Sequence, residues 1–285
     1  MILNRILYFL PLILPATCFA QVITGNVLDS NTQKPIAYVG IGILNKGVGT
    51  VSDLNGHFTF DISKLAPTDT LRFSIIGYSN YNITIRELRQ RNLSSTQTFE
   101  LFPESQSLGI VEVKAHYTKT KVLGNTYDGG IVCSGFNSKM LGTELGVVLK
   151  YREDNPGLIE NVNFNLRENT YDSVMFQVNI YEYNDGEIGK SILKKPLYLV
   201  PGKKYGTLTI DLKDSSIYIN HDVMLGLELI QLSKNENAVD KDNHYHLLFY
   251  DGFLGSKSYG RKAAEDTWEK LPATGGIGFW ATVAY

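Results

Sequence analysis

Apolar side chains recur at every second position through much of this chain, the period of a strand with one buried face. Near the N-terminus Ala37, Val39, Ile41 and Ile43 alternate with Tyr38, Gly40 and Gly42, and Phe58, Phe60 and Ile62 alternate with polar neighbours. The pattern resumes in Val162, Phe164 and Leu166, then in Val174, Phe176, Val178 and Ile180. Leu208, Ile210 and Leu212 continue it, followed by Leu225, Leu227 and Leu229. Turn chemistry separates these runs at Asn184-Asp-Gly186, Pro201-Gly202, Asn220-His-Asp222 and Asp251-Gly252. The pattern predicts an all-β chain, with seven or eight strands after residue 126 arranged as a β-sandwich or jelly roll. Helices are expected only at residues 137–150 and 261–269.

Residues 23–78 carry an ordered set of motifs: Ile23-x-Gly-x-Val-x-Asp29, Pro35-Ile-Ala-Tyr-Val-x-Ile41, Gly49-Thr-x-x-Asp-x-x-Gly-x-Phe58 and Leu71-x-Phe-Ser-x-x-Gly-Tyr78. Within them Asp53-Leu-Asn-Gly56 supplies an Asx acceptor and a residue free to take positive φ, which predicts a tight turn. A calcium loop would need further oxygen ligands, and the next residues are His57, Phe58 and Thr59. The motif order resembles the carboxypeptidase-regulatory-like domain. That resemblance implies a seven-stranded transthyretin-like β-sandwich over residues 21–103, closed by strands at 81–85 and 98–101 with 86–92 linking them. It also implies no hydrolysis by this domain, which accompanies a separate catalytic domain in the metallocarboxypeptidases.

A polar stretch, Glu104-Ser-Gln-Ser-Leu-Gly, opens a linker over residues 104–125, so few contacts are expected across that boundary. The linker resembles the segment that joins the same domain to the plug of starch-utilisation-type TonB-dependent receptors, but the chain after Ala115 is too short for a plug and a large barrel. Residues 126–285 form the second unit. Tyr171-Asp-Ser-Val-x-Phe-x-Val-Asn-Ile-Tyr181, Gly206-Thr-Leu-Thr-x-Asp-Leu212 and Trp268-Glu-Lys-Leu-Pro resemble a C-terminal domain of Gram-negative envelope proteins with no assigned chemistry. The alternation Ile277, Phe279, Ala281, Val283, Tyr285 also resembles the closing strand of an outer-membrane barrel, so a small barrel with a periplasmic domain is the alternative fold.

Arg5, the apolar run 6–14 and Cys18-Phe-Ala20 form a secretory signal over residues 1–20, with cleavage expected before Gln21. The apolar run is too short to span a bilayer, and no transmembrane helix is expected in the mature chain. Of two cysteines only Cys133 follows the signal, so the exported protein is held by its core and not by an intrachain disulfide. A net charge of −2 gives no basis for nucleic-acid binding.

Catalytic motifs are mostly missing. None of the five histidines has Glu three positions later, as zinc carboxypeptidases need, and His-Glu-x-x-His and Gly-x-Ser-x-Gly are absent. Ser191-Ile-Leu-Lys194 matches Ser-x-x-Lys without its companion motifs. One constellation has metal-ligand spacing: Asp240-Lys-Asp242-Asn-His244-Tyr-His246, whose acids and histidines share one face of an extended chain. It resembles the cupin His-x-His, with Asp251 in place of the usual Glu, but no third histidine follows, and the expected reading is a polar turn entering a strand. No catalytic, cofactor-binding or metal residue is therefore assigned, and no cofactor. Seventeen tyrosines with Trp268 and Trp280 leave aromatic platforms for a glycan or an envelope protein. The expected function is a non-catalytic exported protein of the periplasm or outer-membrane surface, its first sandwich docking or spacing and its second binding a ligand or partner. The alternative is a metal-dependent cupin-like or hydrolytic enzyme using His244 and His246.

Overall fold

The computed structural model describes residues 21–91, 93–104, 117, 119–202, 204–233, 247–252, 257–272 and 276–285. The first sandwich comprises β1 (Val22–Asp29), β2 (Gly40–Ile43), β3 (Gly49–Val51), β4 (His57–Asp61), β5 (Thr70–Ser74), β6 (Tyr81–Thr84), α1 (Ile85–Arg89) and β7 (Gln97–Leu101). Its seven strands form a three-stranded sheet, β4-β1-β7, over a four-stranded one, β3-β2-β5-β6. β1 pairs antiparallel with β4 and parallel with β7. The alternation read in the sequence sends Ile23, Val27, Phe58 and Phe60 inward, against Ile41, Phe73 and Phe99. The Phe73 and Phe99 rings stack at 4.4 Å, and Phe58 meets Phe73 edge-on at 5.5 Å. Burying each such ring contributes roughly 1.5–3 kcal/mol. Asp53 closes the predicted turn: its Oδ1 accepts the backbone N–H of Asn55 and of His57, each at 2.8 Å.

The second unit contains β8 (Thr120–Gly124), β9 (Cys133–Phe136), β10 (Glu144–Leu149), β11 (Gly157–Asn169), β12 (Ser173–Asn184), β13 (Glu187–Ser191) and β14 (Leu197–Leu199). It continues with β15 (Gly206–Asp211), β16 (Tyr218–Ile219), β17 (Val223–Ser233), β18 (Leu247–Tyr250), β19 (Ser258–Arg261), β20 (Glu269–Lys270) and β21 (Phe279–Ala284). One sheet runs β13-β12-β17-β10-β19-β20, with β14 also on β12. The other runs β8-β21-β11-β18-β9, with β15 and β16 also on β11. The sheets face each other across one apolar core, in which Phe176 of β12 meets Phe136 of β9 at 5.5 Å and Phe249 of β18 at 5.9 Å. The interior is therefore packed with rings rather than opened into the polar lumen that the barrel alternative requires. The chain's closing alternation is the inner strand β21, paired on both edges with β8 and β11.

Two local expectations fail for identifiable reasons. Residues 137–150 end in β10 and not in a helix, because that strand is buried on both faces and its continuous apolar run hides the strand period. Residues 261–269 leave β19, turn, and enter β20, with Glu265 held by Arg72 and Ser74 of the first sandwich. Among the described residues the α-helix, α1, lies in the stretch expected to be a link. Thr84 and Glu87 make a capping box, with Thr84 Oγ1 accepting the Glu87 N–H at 3.2 Å and Glu87 accepting the Thr84 N–H at 2.9 Å.

Contacts between the two sandwiches are closer than the polar linker suggests. The Glu265 carbonyl accepts the Asn45 N–H at 2.9 Å, and the Glu265 carboxylate accepts the Ser74 hydroxyl at 2.6 Å and pairs with Arg72 at 3.3 Å. Gly40 permits the approach, since a Cβ there would stand 2.8 Å from Ala264 Cβ. Tyr38 crosses the boundary as well, donating to Gln231 Oε1 at 3.0 Å and meeting the Tyr198 ring edge-on. It packs with Val51 and Ile230 in a small apolar cluster of its own.

Candidate functional site

The β12-β17-β10-β19 sheet turns its inner face to the core and its outer face towards the first sandwich. Strand register places Gln177, Glu228, Glu144 and Arg261 in one transverse row across the outer face. The local cause is plain alternation: Phe176, Val178 and Ile180 point inward, so Gln177, Asn179 and Tyr181 point outward, and Glu228 sits between the inward Leu227 and Leu229. All of these outward side chains are buried nonetheless, and Glu144 has no exposed surface.

Buried polar groups need partners, and this row supplies them. Glu144 Oε1 accepts Asn179 Nδ2 at 2.9 Å, and Oε2 accepts the Tyr181 hydroxyl at 3.0 Å and Arg261 Nε at 2.9 Å. Arg261 Nη2 closes the ion pair at 2.6 Å. Gln177 Nε2 donates to Asn179 Oδ1 at 3.0 Å, fixing that amide's orientation. The guanidinium lies over the Trp268 ring at 4.7 Å and near the Tyr181 ring at 5.7 Å, and Nη1 donates to the Ala264 carbonyl. Gly226 is required here, because a Cβ would stand 2.2 Å from Glu144 Oε1.

Charge is unevenly placed along the row. Burial, then the neighbouring Glu144, pushes the Glu228 carboxyl up to about 8, although Arg261 and Asn179 oppose the shift. The shift favours the protonated form of Glu228, in which it can donate a hydrogen bond. Burial likewise holds the Tyr181 hydroxyl far above its ordinary value, so it too acts as a donor.

Between this face and the first sandwich lies a cavity of about 500 Å³. Gln177, Asn179, Tyr181, Glu228 and Arg261 form its floor, and Tyr38, Ser74, Tyr78, Ser79 and Asn80 belong to the facing wall. Amides, hydroxyls and aromatic edges, with the charged Lys190, Arg261 and Glu265 also in the lining, suit a polar, hydrogen-bonding ligand. Glu144 is not part of the lining, and its oxygens are occupied, so it positions Asn179, Tyr181 and Arg261 without facing the cavity.

Asp240, Asp242, His244 and His246 lie outside the described residues. Asp251, their expected companion, is buried, accepts the Ser134 hydroxyl at 2.7 Å and has its pKa raised by burial. Among the described residues no group of three or more His, Cys, Asp or Glu is placed to hold a metal. Cys133 Sγ accepts Arg167 Nη1 at 2.8 Å. Among the described residues no helix is long and apolar enough to cross a membrane. Sequence reasoning passed over the Glu144–Glu228–Arg261 row; its one visible trace was a lone acid inside the apolar alternation Leu225-Gly-Leu-Glu-Leu229.

No curated protein matches the chain. A family does match part of it, over a span that takes in β2 to β7 and all but the first residue of β1. Residues 23–113 match the CarboxypepD_reg-like domain family, whose domain is non-catalytic in itself.

Proposed function

We propose that the protein is a non-catalytic exported envelope protein that holds a polar ligand in the cleft between its two sandwiches. The first sandwich docks or spaces, and the second provides the binding floor. The observation that carries this reading is the row of buried Gln177, Asn179, Tyr181 and Glu228 with the partly buried Arg261, on the floor of a cavity of about 500 Å³. A solvent-facing sheet face does not need a network of this kind, and burying one without use costs desolvation. The signal-like residues 1–20 support export to the periplasm or cell surface.

The test is a thermal-shift screen of soluble envelope fragments: muropeptides, core oligosaccharides, and di- and tripeptides. A ligand present at about 100 times its Kd stabilises by roughly 2.7 kcal/mol, or several degrees for a protein of this size. At least one fragment should raise the Tm of the wild type and not that of Gln177→Leu. Absence of any such fragment, or equal shifts in both proteins, contradicts the reading. N-terminal sequencing of the exported protein should begin at Gln21; retention of Met1 would contradict export.

A further inference from the structure

The opposite side of the second sandwich carries a different surface. β8, β21, β11 and β15 lie side by side, and their outward residues fall into register. Thr209, Asn163, Trp280 and Gly124 make one row; Asp211, Asn161, Thr282 and Val122 make the next. Asparagine is depleted in strands, yet Asn161, Asn163 and Asn165 occupy three successive outward positions of β11. Strand stability does not explain them.

Their hydrogen bonds run in one direction. Thr209 Oγ1 donates to Asn163 Oδ1 at 2.8 Å, and Asn163 Nδ2 donates to Asn161 Oδ1 at 2.6 Å. Thr207 Oγ1 donates to Asn165 Oδ1 at 2.8 Å, and Asn165 Nδ2 donates to the Thr126 and Tyr127 carbonyls at 3.0 and 2.8 Å. Asn163 and Asn165 are buried, and these hydrogen bonds fix their orientations. What is left for a ligand is ordered as well: among the described residues nothing accepts from Asn161 Nδ2, and the Thr209 oxygen keeps its lone pairs. Trp280, only partly buried, stands beside Asn163 in the same row. Asp211 is the one charged residue in the two rows.

An indole plane covers the C–H face of a pyranose ring, while fixed amides and hydroxyls pair with its hydroxyl groups. Apart from Asp211 the two rows carry no charge, so they give no partner to a phosphate or carboxylate group. We propose that the β8-β21-β11-β15 face is a platform for a neutral glycan, centred on Trp280, Asn161 and Thr209. It is separate from the cleft and independent of the ligand held there.

Isothermal titration calorimetry on the full mature chain tests it, with hexasaccharides of glucose, mannose, xylose and galactose as probes. At least one should bind, and Trp280→Ala should weaken it about tenfold, the scale of one lost aromatic contact. Asn161→Ala, at a partly exposed position, should weaken the same sugar several-fold while the protein stays folded by circular dichroism, its melting temperature lowered only by the loss of the acceptor for Asn163, which guards against misfolding of the tryptophan variant. Absence of binding by every probe at about millimolar concentration overturns the platform. So does a sugar whose binding survives Trp280→Ala and Asn161→Ala; if that same sugar is lost in Gln177→Leu, it belongs to the cleft.

Discussion

Replacing Glu228 with glutamine should change the pH dependence of stability in a way that few single substitutions do. The folded protein holds the Glu228 proton up to about pH 8, whereas an exposed glutamate releases it near 4.5. Between those values the native state binds one more proton than the unfolded state, so stability falls as pH rises. The slope is about 1.4 kcal/mol per pH unit over an interval of roughly 3.5 units, which sums to about 5 kcal/mol. Below about pH 4.5 both states are protonated and the loss is absent; above about pH 8 both are ionised and the loss is complete. Glutamine keeps the shape of the neutral acid and removes the linkage. Denaturant unfolding of wild type and Glu228→Gln at intervals from pH 5 to 9 should give similar stabilities at the acid end. The variant should gain steadily to several kcal/mol at the alkaline end. Contributions from the exposed carboxylates cancel in that difference. A difference that stays flat with pH would refute the assignment of a neutral buried Glu228.

Arg261→Met strands Glu144 without its counter-charge and should cost about 3–5 kcal/mol in denaturant unfolding; adding Glu144→Gln should recover most of it, and no recovery would show that the pair is not the cause. Gly40→Ala places a Cβ 2.8 Å from Ala264 Cβ. It should destabilise by roughly 1–3 kcal/mol and speed proteolysis at residues 262–266, while an unchanged cleavage pattern would contradict the close approach. Elemental analysis of purified protein should find no stoichiometric zinc, iron or manganese; such a metal, lost in His244→Ala/His246→Ala, would favour the enzyme alternative instead.

What the sequence disclosed depended on whether one physical period dominated a segment. In Phe58-Thr-Phe60 and Phe176-Gln-Val178 a buried face alternates with a less apolar one, so strand type and the inward residues could be read directly. The Asp53 turn was legible for the same local reason, since its hydrogen bonds are to its own neighbours. β10 was not, because both its faces are covered and no alternation survives. α1 is a short helix whose signal is the Thr84–Glu87 capping box and not a long apolar stripe. The cleft was the least visible feature. Glu144, Glu228 and Arg261 are far apart in the chain and meet only through strand register, and nothing local marks an outward face that another domain will cover.

The central claim is that the cleft between the sandwiches holds a ligand. Native mass spectrometry of protein isolated from its own envelope, compared with an Asn80→Trp variant that fills the cleft from its exposed rim, tests this most directly. The account predicts a one-to-one adduct on the wild type that is missing from the variant. An adduct of equal occupancy on both proteins, or none on either, would contradict it.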